Sequence, residues 1–111
     1  MTDTENLAAL ADAVEAGRDN SELWYPALSD CGGTAMMAFH GDLNAAVRLV
    51  EAMLPGWAVE NLGQVCIDGT GGWRAFIVAP DYVETFAKGD ATAHNPARAL
   101  LLATLRAKAS E

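Results

Sequence analysis

The chain has 111 residues, about half of them apolar and a fifth charged, which is typical of one globular domain with a single core and not of a disordered segment. Its net charge of −8, with only seven Lys and Arg, opposes direct binding to nucleic acid, because neutralising phosphates needs clustered basic residues. The apolar runs are far shorter than the roughly 20 residues that span a bilayer, and the acidic N-terminus does not resemble a secretory signal, so we expect one domain over residues 1–111, cytoplasmic and without membrane contact.

The first predicted element is an amphipathic helix over residues 4–16. Thr2 or Thr4 can cap its start, and Gly17 is a suitable stop. The prediction is based on apolar residues at i, i+3, i+4 and i+7, namely Leu7, Leu10, Ala11 and Val14.

Residues 17–41 have no clean hydrophobic period, and Pro26 and the pair Gly32-Gly33 are expected to break them into pieces. Three aromatic residues in this stretch are interpreted as satellites of the core in preference to a binding platform. They are Trp24, Tyr25 and Phe39.

The clearest helix signal covers residues 42–54. Asp42 is the predicted N-cap, and Pro55-Gly56 is predicted to end the helix. The broad apolar stripe indicates burial against a sheet, and it consists of Leu43, Ala46, Val47, Val50 and Leu54, widened by Leu49 and Met53.

Two strands are predicted next, over 57–68 and 72–80. In the second strand both faces are apolar, which favours a strand covered by helices on both sides. The glycine-rich run 69–72 between the strands is interpreted as a hairpin turn opened by Asp68. A phosphate-binding loop is disfavoured because the run enters a strand instead of a helix, and Arg74 stands where a third glycine would be needed.

A short connecting element, about one helical turn, is predicted over 81–92, before a last helix over 96–108. Asn95 is its predicted N-cap and Pro96 its first residue, and its basic residues are expected near the C-terminal end, where the helix dipole favours them. The resulting fold class is α+β: a small antiparallel sheet, made of the hairpin with a possible third strand, packed between helices as an α/β/α sandwich.

The sequence predicts no catalytic set, metal site or cofactor. Cys31 with His40 and Asp42 supplies the residue types of nucleophilic catalysis, yet Asp42 is better explained as a cap. The other histidine, His94, does not pair with a second ligand at helical spacing. Cys31 and Cys66 are expected to be free thiols.

Acidic residues are concentrated near the N-terminus, where residues 1–30 carry seven acids against Arg18 alone. One interpretation is an ordinary solvated helix face. The other is an acidic surface that docks on a basic partner. The candidate contact residues are Asp12, Glu15, Asp19 and Glu22, with Trp73 near the hairpin tip as a further candidate if it is exposed.

Two segments carry a resemblance to a known family. In "LNAAVRLVEAMLPGW" the matching residues are Leu43, Ala45, Ala46, Leu49, Val50, Glu51, Leu54, Pro55, Gly56 and Trp57. In the C-terminal segment the matching residues are Ala91, Thr92, Pro96, Ala97, Ala99, Leu100, Ala103, Leu105, Arg106 and Ala107. These segments resemble the phage ABA-sandwich domain family of small phage and prophage proteins. The resemblance covers about 42–108, and it implies an α/β/α sandwich, a phage origin and no catalytic residue. The stretch "GGTAMMAF" (32–39) departs from that family and is interpreted as an added strand.

Four functions follow as hypotheses. The first is a non-enzymatic phage interaction protein with a protein partner. A sharper form is an acidic inhibitor that occupies the basic groove of a host nucleic-acid-binding or defence complex. The other two are a small enzyme using Cys31 and His40, and a virion protein. A homodimer is also expected, because a small sheet leaves edges that can pair with another copy.

Overall fold

The computed structural model of the protein describes residues 3–18, 21–67, 70–80, 88–93 and 95–109. Within them four helices and a 3-10 turn precede a three-stranded sheet along the chain, and a fifth helix follows it. In chain order the elements are α1 (Asp3–Glu15), α2 (Ser21–Leu28), a 3-10 turn (Ser29–Cys31), α3 (Gly32–Phe39), α4 (Leu43–Met53), β1 (Ala58–Ile67), β2 (Thr70–Val78), β3 (Lys88–Ala93) and α5 (Pro96–Ala109).

Capping residues set the helix boundaries, as the sequence predicts. The Asp42 carboxylate accepts a hydrogen bond from the Ala45 amide at 3.0 Å, and the Asn95 side-chain oxygen accepts one from the Arg98 amide at 2.7 Å. Both acceptors satisfy a donor that has no partner inside the helix. Gly17, with φ of +76°, follows the end of α1 in the left-handed conformation that glycine adopts most easily.

Replacing Asp42 by alanine is expected to lower the free energy of unfolding by about 1 kcal/mol, because the first turn of α4 loses its side-chain acceptor. Urea denaturation measures the change. Asp42→Ser keeps an acceptor and should lose only a few tenths of that amount. Equal losses in the two variants would show that the hydrogen bond to the Ala45 amide does not stabilise the fold.

The sheet is antiparallel with the order β1-β2-β3. Ile67 pairs with Thr70, so β1 and β2 form the predicted hairpin, and Gly71 and Gly72 belong to β2. The turn residues 68 and 69 lie outside the described part of the chain. The pairing of β2 with β3 supplies the third strand that the sequence left as a possibility.

Helix α5 lies between the sheet and the other helices. It packs on β2 and β3 through one side and on α1, α3 and α4 through the other. A helix in this position must be apolar around most of its surface. Nine of the fourteen residues of α5 are accordingly buried, namely Ala97, Ala99, Leu100, Leu101, Leu102, Ala103, Thr104, Leu105 and Ala107.

The α+β class, with an antiparallel sheet packed against helices, is confirmed. The layer order differs from the predicted sandwich. In the described residues α5 is the middle layer: it packs on the sheet, and α1, α3 and α4 pack on its other side. The prediction that helices cover both faces of β2 is wrong for these residues. Ala75 and Ile77 are buried toward α5, whereas on the opposite face Arg74 is exposed and Phe76 is half-buried.

Two segments differ from the sequence prediction in their secondary structure. "GGTAMMAF" is helix α3 and not an added strand, because its small and apolar residues bury Ala35, Ala38 and Phe39 along one helix side. "KGDATA" is strand β3 and not part of a helical turn, since pairing with β2 outweighs its weak intrinsic strand preference. The rest of that predicted turn, residues 81–87, lies outside the described residues.

Residues 21–39 contribute more to the core than expected. Pro26 lies inside α2, and the helix ends two residues later at Leu28. Trp24 is completely buried and its ring meets that of Phe39 edge to face, with centroids 5.7 Å apart. Trp24 and Phe39 are therefore part of the core itself, while Tyr25 is exposed.

Candidate functional site

The solvent-facing side of α1 carries acids and no base. Asp12 and Glu15 are three residues apart, a spacing that puts both on one side of a helix, and both are exposed. Glu5, seven residues before Asp12, is exposed as well. The predicted acidic helix face therefore exists on the folded protein.

Glu15 contacts a basic residue from another helix. Its carboxylate pairs with the Arg106 guanidinium in the last turn of α5, and both side chains remain partly accessible to solvent. An exposed ion pair of this kind adds little stability, about 0–1 kcal/mol. It does reduce the net negative charge near Glu15, so Asp12 contributes more of the acidic character of this side than Glu15 does.

Glu22 extends the acidic side to the next helix. It is exposed in the first turn of α2, and α2 packs against α1. We call Asp12, Glu15 and Glu22 the acidic surface. The fourth acidic candidate, Asp19, lies outside the described residues.

Trp73 is not part of the acidic surface. It is half-buried on β2 and packs against the hydrophobic core. Because α5 lies between the sheet and α1, the tryptophan and the acids of α1 are on opposite sides of that helix. The candidates thus divide into an acidic surface on the helices and a separate apolar residue on the sheet.

The residue types considered for catalysis are not brought together. Cys31 precedes α3 and His40 follows it, so the eight residues of α3 separate them, a distance of about 13 Å along the helix at 1.5 Å per residue step. Asp42 caps α4, and the His40 ring lies edge to face against Phe39. The metal candidate His94 is outside the described residues, and in the described part of the chain no three His, Cys, Asp or Glu residues converge in a metal-binding geometry.

Both predicted free thiols are unpaired, with Cys31 half-buried and Cys66 exposed on β1. The helices of the described residues are all too short, or too polar, to cross a bilayer.

A groove on the sheet was not predicted from the sequence. It has a volume of about 460 Å³ and lies along β1 and β2, with Arg74 and Phe76 contributing from the face that points away from α5. Its lining contains one acid and one base, and it consists of Glu60, Asn61, Gly63, Gln64, Val65, Arg74 and Phe76. The sequence signal that could have shown it is Gly63, which pairs with Arg74 and has no side chain, and a Cβ there would lie 3.2 Å from Asn61 Oδ1.

Comparison of the chain with protein-family models, with curated proteins and with solved structures found no match.

Proposed function

We propose that the protein is a small phage- or prophage-encoded interaction protein that binds a protein partner in the host cytoplasm and works without catalysis. The observation that carries this proposal is the single-sign charge of the exposed side of α1. The phage origin is based on the resemblance of residues 42–108 to the phage ABA-sandwich proteins.

A contrast within the chain favours a docking surface over an ordinary solvated face. On α4 the exposed Arg48 and Glu51 are three residues apart, so opposite charges alternate on that helix. On α1 the exposed charges Glu5, Asp12 and Glu15 have one sign, although alternation would stabilise an isolated helix better. Arg106 of α5 neutralises part of this charge at Glu15, and in this proposal a positive partner surface neutralises the charge of Asp12.

The sharper form of the proposal is an inhibitor of a host nucleic-acid-binding or defence complex. Carboxylates of the acidic surface would occupy positions that phosphates take in a basic groove. Long-range attraction between the −8 chain and such a groove would accelerate association at low salt. Asp12 and Glu15 remain accessible to solvent, so the association of their carboxylates with a basic groove should weaken as salt rises.

Changing Asp12 to lysine is expected to weaken partner binding about tenfold at low salt, because one interfacial attraction becomes a repulsion. The partner is first captured from bacterial lysate on the immobilised wild-type protein and then purified. Its affinity for wild type and variant is measured by calorimetry at several salt concentrations. Competition by duplex DNA would support the inhibitor form over the general one.

Glu51→Lys is the matched control. Glu51 and Asp12 are both exposed acids in the last turn of a helix, so lysine changes net charge and the helix-dipole energy equally at the two positions. Lysine at position 51 also replaces the favourable spacing to Arg48 by a like-charge one, so we expect Glu51→Lys to lose about 0.5 kcal/mol of stability but no affinity, and only Asp12→Lys to lose affinity. If the two variants bind equally well, the acidic surface is not the docking site.

A further inference from the structure

Strand β1 has a long edge that no strand of the described residues pairs with. It contains ten residues and pairs with β2 on one side only, which leaves about 34 Å of edge at 3.4 Å per residue. Exposed residues lie along its whole length, from Ala58–Asn61 to Gln64 and Cys66. In an antiparallel ladder alternate residues turn their N–H and C=O groups outward, so this edge presents a row of backbone donors and acceptors.

The two edge strands of the sheet, β1 and β3, differ in the features that prevent pairing with strands of other chains. The β3 edge is six residues long and its sequence includes Lys88 and Asp90, and short charged edges resist pairing with other chains. In β1 the one charge, Glu60, and a register shift between Val59 and Asn61 protect only the first part of the strand, and seven uncharged residues, 61–67, follow in regular register without proline. β1 is therefore the edge suited to strand pairing.

We propose that β1 pairs antiparallel with β1 of a second copy of this chain. A two-fold axis perpendicular to the sheet would join the two sheets into one of six strands, in the order β3-β2-β1-β1-β2-β3. Both α5 helices would then lie on the same side of the joined sheet. The new outer edges would be the charged β3 strands, so growth would stop at the dimer.

The charge pattern of β1 favours a second copy over an unrelated peptide. A two-fold interface must be complementary to itself, which needs both signs of charge or neither. The stretch 61–67 of β1 has no charged residue, so it can face its own copy without repulsion. A strongly basic partner would bind the acidic surface on α1 and α2, because β1 has only one acid, Glu60.

The pairing positions Gln64 near its symmetry mate. Leu62 and Gln64 pair with Ala75 and Trp73, so they share the face toward α5. Beyond the irregularity between Val59 and Asn61, β1 pairs with β2 without interruption over residues 61–67, and Gln64 is the centre of that stretch. A perpendicular two-fold axis at Gln64 preserves faces, so Gln64 lies opposite the same residue of the second copy, and Leu62 lies opposite Cys66 of the second copy. Of Leu62 and Gln64, Gln64 is the exposed one, so it can be changed without disturbing the core.

The test measures the mass of the full chain in solution by light scattering at about 100 µM, well above a micromolar dissociation constant. The wild type is expected at twice its chain mass of 11.7 kDa. Gln64→Lys and Gln64→Glu should each dimerise about tenfold more weakly, because like charges then face each other across the pair. An equimolar mixture of the two variants should recover dimers that contain one copy of each.

Asn44→Lys and Asn44→Glu are the controls, since Asn44 is an exposed amide on α4, away from the sheet edge. They should dimerise like the wild type. A monomeric wild type, or a dimer that persists equally in both Gln64 variants, overturns the proposal. The result is independent of binding at the acidic surface, which lies on the other side of α5.

Discussion

Replacing Trp24 by alanine is expected to lower the free energy of unfolding by about 3–5 kcal/mol. Trp24 has no solvent exposure, and its ring packs edge to face on Phe39 at an interplanar angle of 67°. Alanine would lose the buried apolar area and the ring contact, and would leave a cavity between α2 and α3. This is a large part of the 5–15 kcal/mol that stabilises an ordinary domain, and urea denaturation followed by circular dichroism measures it.

The neighbouring residue provides the control for this truncation. Tyr25 is also a large aromatic residue of α2, but 59% of its surface is exposed, and its ring covers Gly32 at the start of α3. Tyr25→Ala should therefore cost no more than about 1 kcal/mol. Similar losses in the two variants would mean that helix propensity in α2, and not burial of Trp24, determines the effect.

The elements predicted well from the sequence are those with local signals. The caps Asp42 and Asn95 act within three residues of their acceptors, and their hydrogen bonds are present as expected. The α4 stripe and the β1–β2 hairpin likewise depend on spacing along one segment. Such features need no knowledge of the remaining chain.

The elements that were missed depend on contacts distant in sequence. Strand β3 has residues with weak strand preference, and its pairing with β2 decides its conformation. Helix α3 is apolar on several sides because it packs against α2, α4 and α5 together, so its sequence shows no clean period. For the same reason, the position of α5 as the inner layer could not be inferred from its own pattern.

The candidate site was partly predictable. The exposure of Asp12 and Glu15 on one side of α1 follows from their spacing along a helix. The pairing of Glu15 with Arg106 joins residues 91 positions apart, and no local pattern indicates it. The separation of Trp73 from the acids also depends on the layer order and not on sequence spacing.

Arg98 is the residue whose role differs most from its sequence interpretation. The basic residues of the last helix were expected near its C-terminal end, as Arg106 and Lys108 are. Arg98 instead lies in the first turn of α5, where the helix dipole disfavours a cation. Its guanidinium serves a different helix, because it donates to the Phe39 carbonyl at the end of α3 from Nε at 3.2 Å and Nη2 at 3.1 Å.

Changing Arg98 to alanine is consequently expected to lower the free energy of unfolding by about 2–4 kcal/mol. The variant would remove both hydrogen bonds to a carbonyl that lacks a partner within α3. It would also remove the guanidinium from above the Phe39 ring, where it now lies 4.0 Å from the ring centroid. Arg98→Lys should recover part of the loss, since lysine keeps the charge but cannot donate through a planar fork.

Arg48→Ala is the control for the loss of one positive charge, which by itself makes the acidic chain more negative. Arg48 is exposed on α4, and its removal should change the free energy of unfolding by no more than about 0.5 kcal/mol. A salt titration separates the two contributions further, because screening weakens the general charge effect but leaves short contacts in a half-buried site largely intact. If added salt restores most of the stability of Arg98→Ala, net charge and not the bond to the end of α3 explains its loss.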